Sequence, residues 1–290
     1  MTHHENKNLS VSKRSRLLKR IKRAARTAFG DAKRGKFLQK ERAAALLYKE
    51  EARLSWRALE DELRDASLRK KLGLRKPISK SALQRAPLLL GAKGRRALLR
   101  ASIKRSRAKR SAGVDSTGVG TTRYARWSND KNTRAAARYR KLHAIVDART
   151  RQVLAARVTK GTRNDSPRFK PLFKEAKRHG LREVAGDSGY PSRKNAQLAE
   201  DAGATPYLKP KKNATTRSSR SPAWRRMVQA YQTRTNEWLS RYRKPRSAIE
   251  GLWSSIKRFY GAVLRAVRWP CQRAELELRV VAYNLRVITM

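Results

Sequence analysis

The stretch Leu142-His143-Ala144-Ile145-Val146-Asp147-Ala148-Arg149-Thr150-Arg151-Gln152-Val153-Leu154-Ala155-Ala156-Arg157-Val158-Thr159 decides the fold. Leu142 to Asp147 reads as a strand, Ala148 to Arg151 as a turn, and Gln152 to Thr159 as a second strand running back, a hairpin by its spacing. Upstream, beyond an Arg/Asn-rich loop, Val114-Asp115-Ser116-Thr117-Gly118 reads as a short strand ending in an acid and a turn. Downstream, Ser166 to His179 has helical spacing, with Phe169, Leu172, Phe173 and Ala176 on one side.

Further along, Val184-Ala185-Gly186-Asp187 reads as a buried strand, Asn195 to Asp201 as a helix and Thr205-Pro206-Tyr207-Leu208 as a strand. A basic loop follows, with Lys209, Lys211, Lys212, Arg217 and Arg220. A helix then carries Trp224, Met227, Val228 and Tyr231 on one face, and two more, about 245–260 and 272–289, finish the chain. A hairpin, then alternating strands and helices, then terminal helices predict an α/β fold: a mixed sheet flanked by helices, as in RNase H-like domains.

Residues 1–108 read as short helices with no strand signal and form a basic, mostly helical N-terminal region. Leu17, Leu18, Ile21 and Ala25 make an apolar stripe between basic pairs, either a solvated arm or a helix that contacts DNA. Ser55 is placed to cap a helix through Leu59 and Leu63. Ser81-Ala82-Leu83-Gln84 fits a capping box after a turn at Leu72-Gly73-Leu74 and Lys76-Pro77. Helix, turn, helix over about 55–90 makes a helix-turn-helix candidate that Pro87 weakens. Gly91 to Arg110 reads as a connector, and 109–290 as a catalytic domain.

The 290 residues hold 73 Lys+Arg against 22 Asp+Glu, a formal charge of +51 and a sequence pI near 11.6. About 0.18 net charges per residue, with a mean hydropathy of -0.80, approaches the composition of disordered chains. The periodic stretches argue instead for a folded protein whose self-repulsion is relieved by a polyanion. Cys271 is the single cysteine, which excludes an internal disulfide, and without a CxxC or Cys/His cluster no zinc site is expected. The chain has no apolar run near the roughly 18 residues of a membrane span, and the polar start Met1-Thr2-His3-His4-Glu5 is not a secretory signal. A cytoplasmic, nucleoid-associated protein is expected. Binding to a membrane surface would call for one amphipathic basic helix, not charge spread over the whole chain.

Three carboxylates stand where side chains are presented: Asp115 and Asp187 at strand ends, where sheets open into a crevice, and Glu250 on a helix. At about 100° per residue, Arg246, Glu250, Trp253 and Lys257 fall within an arc of roughly 60°, while Ile249, Leu252, Ile256 and Phe259 form a separate stripe. The plain reading is an exposed row with an i,i+4 ion pair. A tryptophan in such a row predicts a flat partner, and bases are flat. Asp147 and Asp165 read as caps or orienting groups, His143 as a sheet-face residue near Asp115, and Lys211 and Lys212 as phosphate contacts or a solvated loop.

In order, Val-Asp115-Ser-Thr-Gly, Lys141-Leu-His143-Ala-Ile-Val-Asp147, Asn164-Asp165-Ser166, Gly186-Asp187-Ser188-Gly189-Tyr190 and Arg246-x3-Glu250-x6-Lys257 resemble the DDE transposases of prokaryotic insertion sequences, groups 4 and 5. The similarity covers about 110–290. It implies a catalytic, metal-binding triad of Asp115, Asp187 and Glu250, with Arg246 and Lys257 contacting DNA near the cleaved end. Two Mg²⁺, for which Mn²⁺ substitutes, are implied as cofactors. The implied partners are inverted-repeat ends, target DNA and at least a second copy of the chain. Such enzymes often carry a tyrosine three residues before the arginine; here that position is Arg243, Tyr242 is displaced by one, and no role is assigned to it. A DNA-binding remnant without chemistry and an RNase H-type nuclease are the alternatives.

Overall fold

A computed structural model describes residues 10–106, 108–122, 139–217 and 221–290. Most of the Arg/Asn-rich loop before the hairpin, and Arg220, lie outside the described residues. The chain divides into two compact units, Met1–Lys104 with Arg258–Met290, and Arg105–Lys257.

The first unit opens with α1 (Val11–Phe29), which buries the predicted stripe of Leu17, Leu18, Ile21 and Ala25. A short antiparallel pair, β1 (Lys33–Arg34) and β2 (Phe37–Leu38), follows where no strand was expected. Then come α2 (Gln39–Glu51), α3 (Trp56–Glu62), α4 (Ala66–Leu72), α5 (Lys80–Leu89) and α6 (Gly91–Ala101). Ser55 caps α3 as read, its hydroxyl accepting from the Ala58 amide at 3.1 Å. The capping box at Ser81 does not form. Helix α5 starts two residues earlier, with Ser79 at its N-cap, because the Lys80 amide finds a tertiary acceptor in Glu60 Oε1 at 3.0 Å. Helix α6 is no connector: Leu98 and Leu99 are buried, and Arg95 pairs with Glu277 at 2.5 Å.

The second unit is built on a five-stranded sheet of β3 (Arg110–Gly120), β4 (Tyr139–Asp147), β5 (Val153–Lys160), β6 (Leu181–Gly186) and β7 (Thr205–Leu208). Its order is β5-β4-β3-β6-β7, with β3, β4 and β5 antiparallel in succession, and β3, β6 and β7 parallel. Four helices accompany it: α7 (Ser166–Lys177), α8 (Arg193–Asp201), α9 (Pro222–Thr233) and α10 (Thr235–Tyr260). This is the mixed, RNase H-like sheet that the sequence predicts. Two boundaries differ. Asp115 lies in the middle of β3, since the strand continues through Val119, and α10 begins about ten residues before the expected start near 245.

The last helix, α11 (Trp269–Val287), lies in the first unit and packs on α1, α2, α5 and α6. It and α2 are buried on nearly every side, as a helix at the middle of a bundle must be. Their charges go down with them and are paired. Glu51 takes Arg286 and the Tyr260 hydroxyl, and Arg279 lies between Glu50 and Glu275. A buried charge left without its partner would cost several kcal/mol, on the order of 3–5. No helix among the described residues is long and apolar enough to cross a membrane.

Candidate active site

Register brings the two aspartates together. Val114 on β3 is paired with Gly186 on β6 in a parallel ladder, so Asp115 and Asp187, each the next residue, lie on neighbouring tracks about 4.8 Å apart. Gly186 is demanded by crowding: a Cβ there would stand 2.8 Å from Val114 Cγ1 and 3.0 Å from Leu208 Cδ2. Burial, and next the charge of Asp115, push the Asp187 carboxyl above the usual carboxylate range. Its Oδ1 accepts from the Gly189 amide at 3.0 Å, which holds the turn after β6.

Helix α10 supplies the other members. Ile249, Leu252 and Ile256 are buried, as the stripe predicts. The helix reaches β3 because residue 113 is glycine: a Cβ there would run into the Pro245 carbonyl and approach Ile249 Cγ2 to 3.2 Å. At this distance Arg246 Nη1 is 2.6 Å from Asp115 Oδ2, and its Nη2 is 3.2 Å from Glu250 Oε1. The Glu250 side chain remains 60% exposed.

Trp253 departs from expectation. It is 7% exposed and donates its indole N–H to Asp115 Oδ2 at 3.2 Å, so its ring is not presented for stacking on a base. The reason is the depth of α10 against β3, which turns the edge of the predicted exposed row inward. Lys257, on the same row, is half-buried, and burial lowers its ammonium pKa. Tyr242 stacks on Trp238, with ring centroids 5.1 Å apart. Burial first, and the charges of Asp187, Asp115 and Glu250 against the opposing pull of Arg246, push its phenol up. The displaced tyrosine thus lies in the field of the site on the face of Arg246.

Asp165 is more than a cap. It stands at the N-cap of α7 but makes no capping bond; its carboxylate accepts from Ser116 Oγ at 3.0 Å and Lys141 Nζ at 3.1 Å. Both Asp187 Oδ1 and Asp165 Oδ2 border the empty Cβ position of Gly189, at 3.1 and 3.6 Å, which places Asp165 beside Asp187. Tyr190 is fully buried beside these acids, and burial followed by their charges pushes its phenol well up. Sequence reasoning quoted both residues within the motifs and read Asp165 as a cap or orienting group, but gave Tyr190 no role. His143 is buried, bonded through Nε2 to Thr159 Oγ1 at 2.8 Å and kept neutral by burial, which lowers it to about 4. Asp147 is the turn residue it was read as, taking Arg110, the Arg149 amide and the Thr150 hydroxyl. Lys211 and Lys212 are exposed on the loop that leaves β7 just after the Lys209 amide bonds Gly186 O, the residue before Asp187.

The donor set suits a hard divalent cation: two adjacent carboxylates, one already disfavoured as an anion by burial and then by the other, are what such a charge stabilises. Among the described residues no three acidic, histidine or cysteine side chains converge as a closed ligand group. Arg246 holds Glu250 and Asp115 instead.

A family model described as a transposase DDE domain matches residues 109–285, a span that runs on from the sheet unit through α11. No curated protein matches the chain. Among solved structures, the cryo-EM structure of a piggyBac transposase synaptic complex with hairpin DNA aligns at 12% identity and a TM-score of 0.47, covering 97% of this chain and 75% of that one. With well over half of its residues inside the family match, the chain belongs to the DDE transposases.

Proposed function

We propose that this transposase binds the inverted-repeat ends of an insertion sequence, hydrolyses a strand to free a 3'-hydroxyl and joins that end to target DNA, with Asp115, Asp187 and Glu250 holding two divalent metal ions. The observation that carries the reading is the side-by-side register of Asp115 and Asp187 under a helix that brings Arg246 and Glu250. Mg²⁺, or Mn²⁺ in its place, supplies charge neutralisation at the attacked phosphate, an activated attacking oxygen and a stabilised leaving oxygen.

The chain's own groups do the rest. Arg246, bridging two carboxylates, exchanges them for a phosphate near the cleaved bond, which frees Asp115 Oδ2 and Glu250 as ligands. Trp253 keeps Asp115 oriented through its indole N–H. Lys257, Lys211 and Lys212 add cations to the path of the strand. The N-terminal helices, with α3 to α5 as the helix-turn-helix candidate, recognise the ends. Pairing two ends calls for at least a dimer, working on nucleoid DNA in a prokaryotic cytoplasm.

The test is incubation with the DNA that flanks the gene, in Mg²⁺. Nicking at inverted-repeat ends is expected, with Asp187→Asn abolishing nicking while duplex binding persists. Nicking retained by Asp187→Asn removes that residue from the site. Binding without any cut makes the protein a remnant, and cleavage of the RNA strand in hybrids makes it an RNase H-type nuclease.

A further inference from the structure

The turn between β4 and β5 ends on Arg151, whose φ of 60° lies in the left-handed region that disfavours any residue carrying a Cβ. Its amide closes the turn on Asp147 O at 2.9 Å. Glycine or asparagine would sit there with less strain. Opposite it, α10 carries Gly251 in its interior, where alanine would favour the helix. The two choices meet at one point: a Cβ at residue 251 would stand 3.3 Å from Arg151 Nη1, inside ordinary contact distance. The strained turn and the missing side chain together lay a guanidinium on α10 one residue from Glu250.

No ion pair neutralises that guanidinium among the described residues. Several arginines of the same unit are paired, Arg110 with Asp147, Arg246 with Asp115 and Arg241 with Glu183, while Arg149 in the same turn bonds Ser106 Oγ at 3.1 Å. Arg151 is exposed and forms no ion pair among the described residues. Two local penalties at an exposed cation beside a candidate catalytic helix imply a use for the charge outside the fold, since strain of this kind concentrates where ligands are held.

We propose that Arg151 is a phosphate-binding residue, gripping the backbone of the DNA strand that lies along α10 beside Glu250. The assignment rests on the reading above that DNA occupies this face. A guanidinium matches the planar, two-oxygen edge of a phosphate, and the open space over Gly251 lets it lie close along α10.

The full-length protein is titrated with a short fluorescein-labelled duplex of random sequence in EDTA, across a series of salt concentrations, alongside thermal melting. For Arg151→Gly the salt dependence of log K should fall by about 0.9, equivalent to roughly five-fold weaker binding at physiological salt, the share of one phosphate contact. The melting temperature should hold or rise, because glycine relaxes the left-handed turn. Arg178→Ala is the control: α7 begins beside the site at Asp165 and ends at Lys177, which puts exposed Arg178 about 18 Å further on. An unchanged slope in Arg151→Gly overturns the proposal, as does an equal loss in the control, which would make the effect one of bulk charge. A lower melting temperature with intact affinity overturns it too, making Arg151 a prop for α10. A wild-type protein that does not bind the duplex would sink the underlying DNA reading instead.

Discussion

Asp115 Oδ2 meets two groups from α10, the Arg246 guanidinium as an ion pair at 2.6 Å and the Trp253 indole N–H as a hydrogen-bond donor at 3.2 Å. The first can leave for a phosphate; the second is buried and stays, so it sets where the carboxylate points. Trp253→Phe keeps an aromatic ring in the packing and removes only that donor. It should lower nicking by about ten-fold and raise the Mg²⁺ concentration needed for half-maximal rate, as losses of groups that orient metal ligands do. An unchanged Mg²⁺ dependence would show that the indole only packs. Helical arithmetic found the face that holds Arg246, Glu250 and Trp253, but it could not tell which residue on that face turns inward, because exposure depends on how deeply the helix beds against a partner. Asp165, read as a cap or an orienting group, could not be decided for a similar reason: only the tertiary neighbours Ser116 and Lys141 show that it does not cap.

The bedding of α10 depends on a single missing methyl group. Gly113 faces the Pro245 carbonyl, so Gly113→Ala must lift the helix or tilt the strand. Overpacking of this kind costs about 1–3 kcal/mol, and chemical denaturation should register it. Nicking should fall further than the stability loss explains, since Arg246 and Glu250 move with the helix; full activity in a stable Gly113→Ala protein would dismiss the close approach as incidental. The hairpin, β6, α7 and the core stripe of α10 were legible because each is periodic over its own length. The first half of α10 was not: Arg241, Arg243, Lys244 and Pro245 resemble a basic loop, and the segment is helical because Trp238 packs among Tyr207, Tyr231 and Tyr242.

A formal charge of +51 acts on the whole chain at once. Without nucleic acid the cations repel, and each unit is held by its core and by internal pairs such as Arg157 with Glu175 and Arg279 with Glu275. The melting temperature of the free protein should therefore rise as the screening length shrinks from about 30 Å at 0.01 M salt to about 8 Å at 0.15 M. Duplex affinity should fall steeply over the same range, because released counterions drive phosphate binding. A melting temperature indifferent to salt would mean that the charges are already neutralised within the fold.

The amino-acid order alone determined the excess of cations, the strand and helix alternation, and the spacing of Asp115, Asp187 and Glu250 with Arg246 and Lys257, because charge, period and motif are written along the chain. Which of those groups meet was decided by folding: the pairing of Val114 with Gly186, the close passage of Pro245 over Gly113, and the return of α11 to the N-terminal helices. The physical reason is that contacts between residues far apart in sequence depend on strand register and packing distance, and no local pattern encodes either.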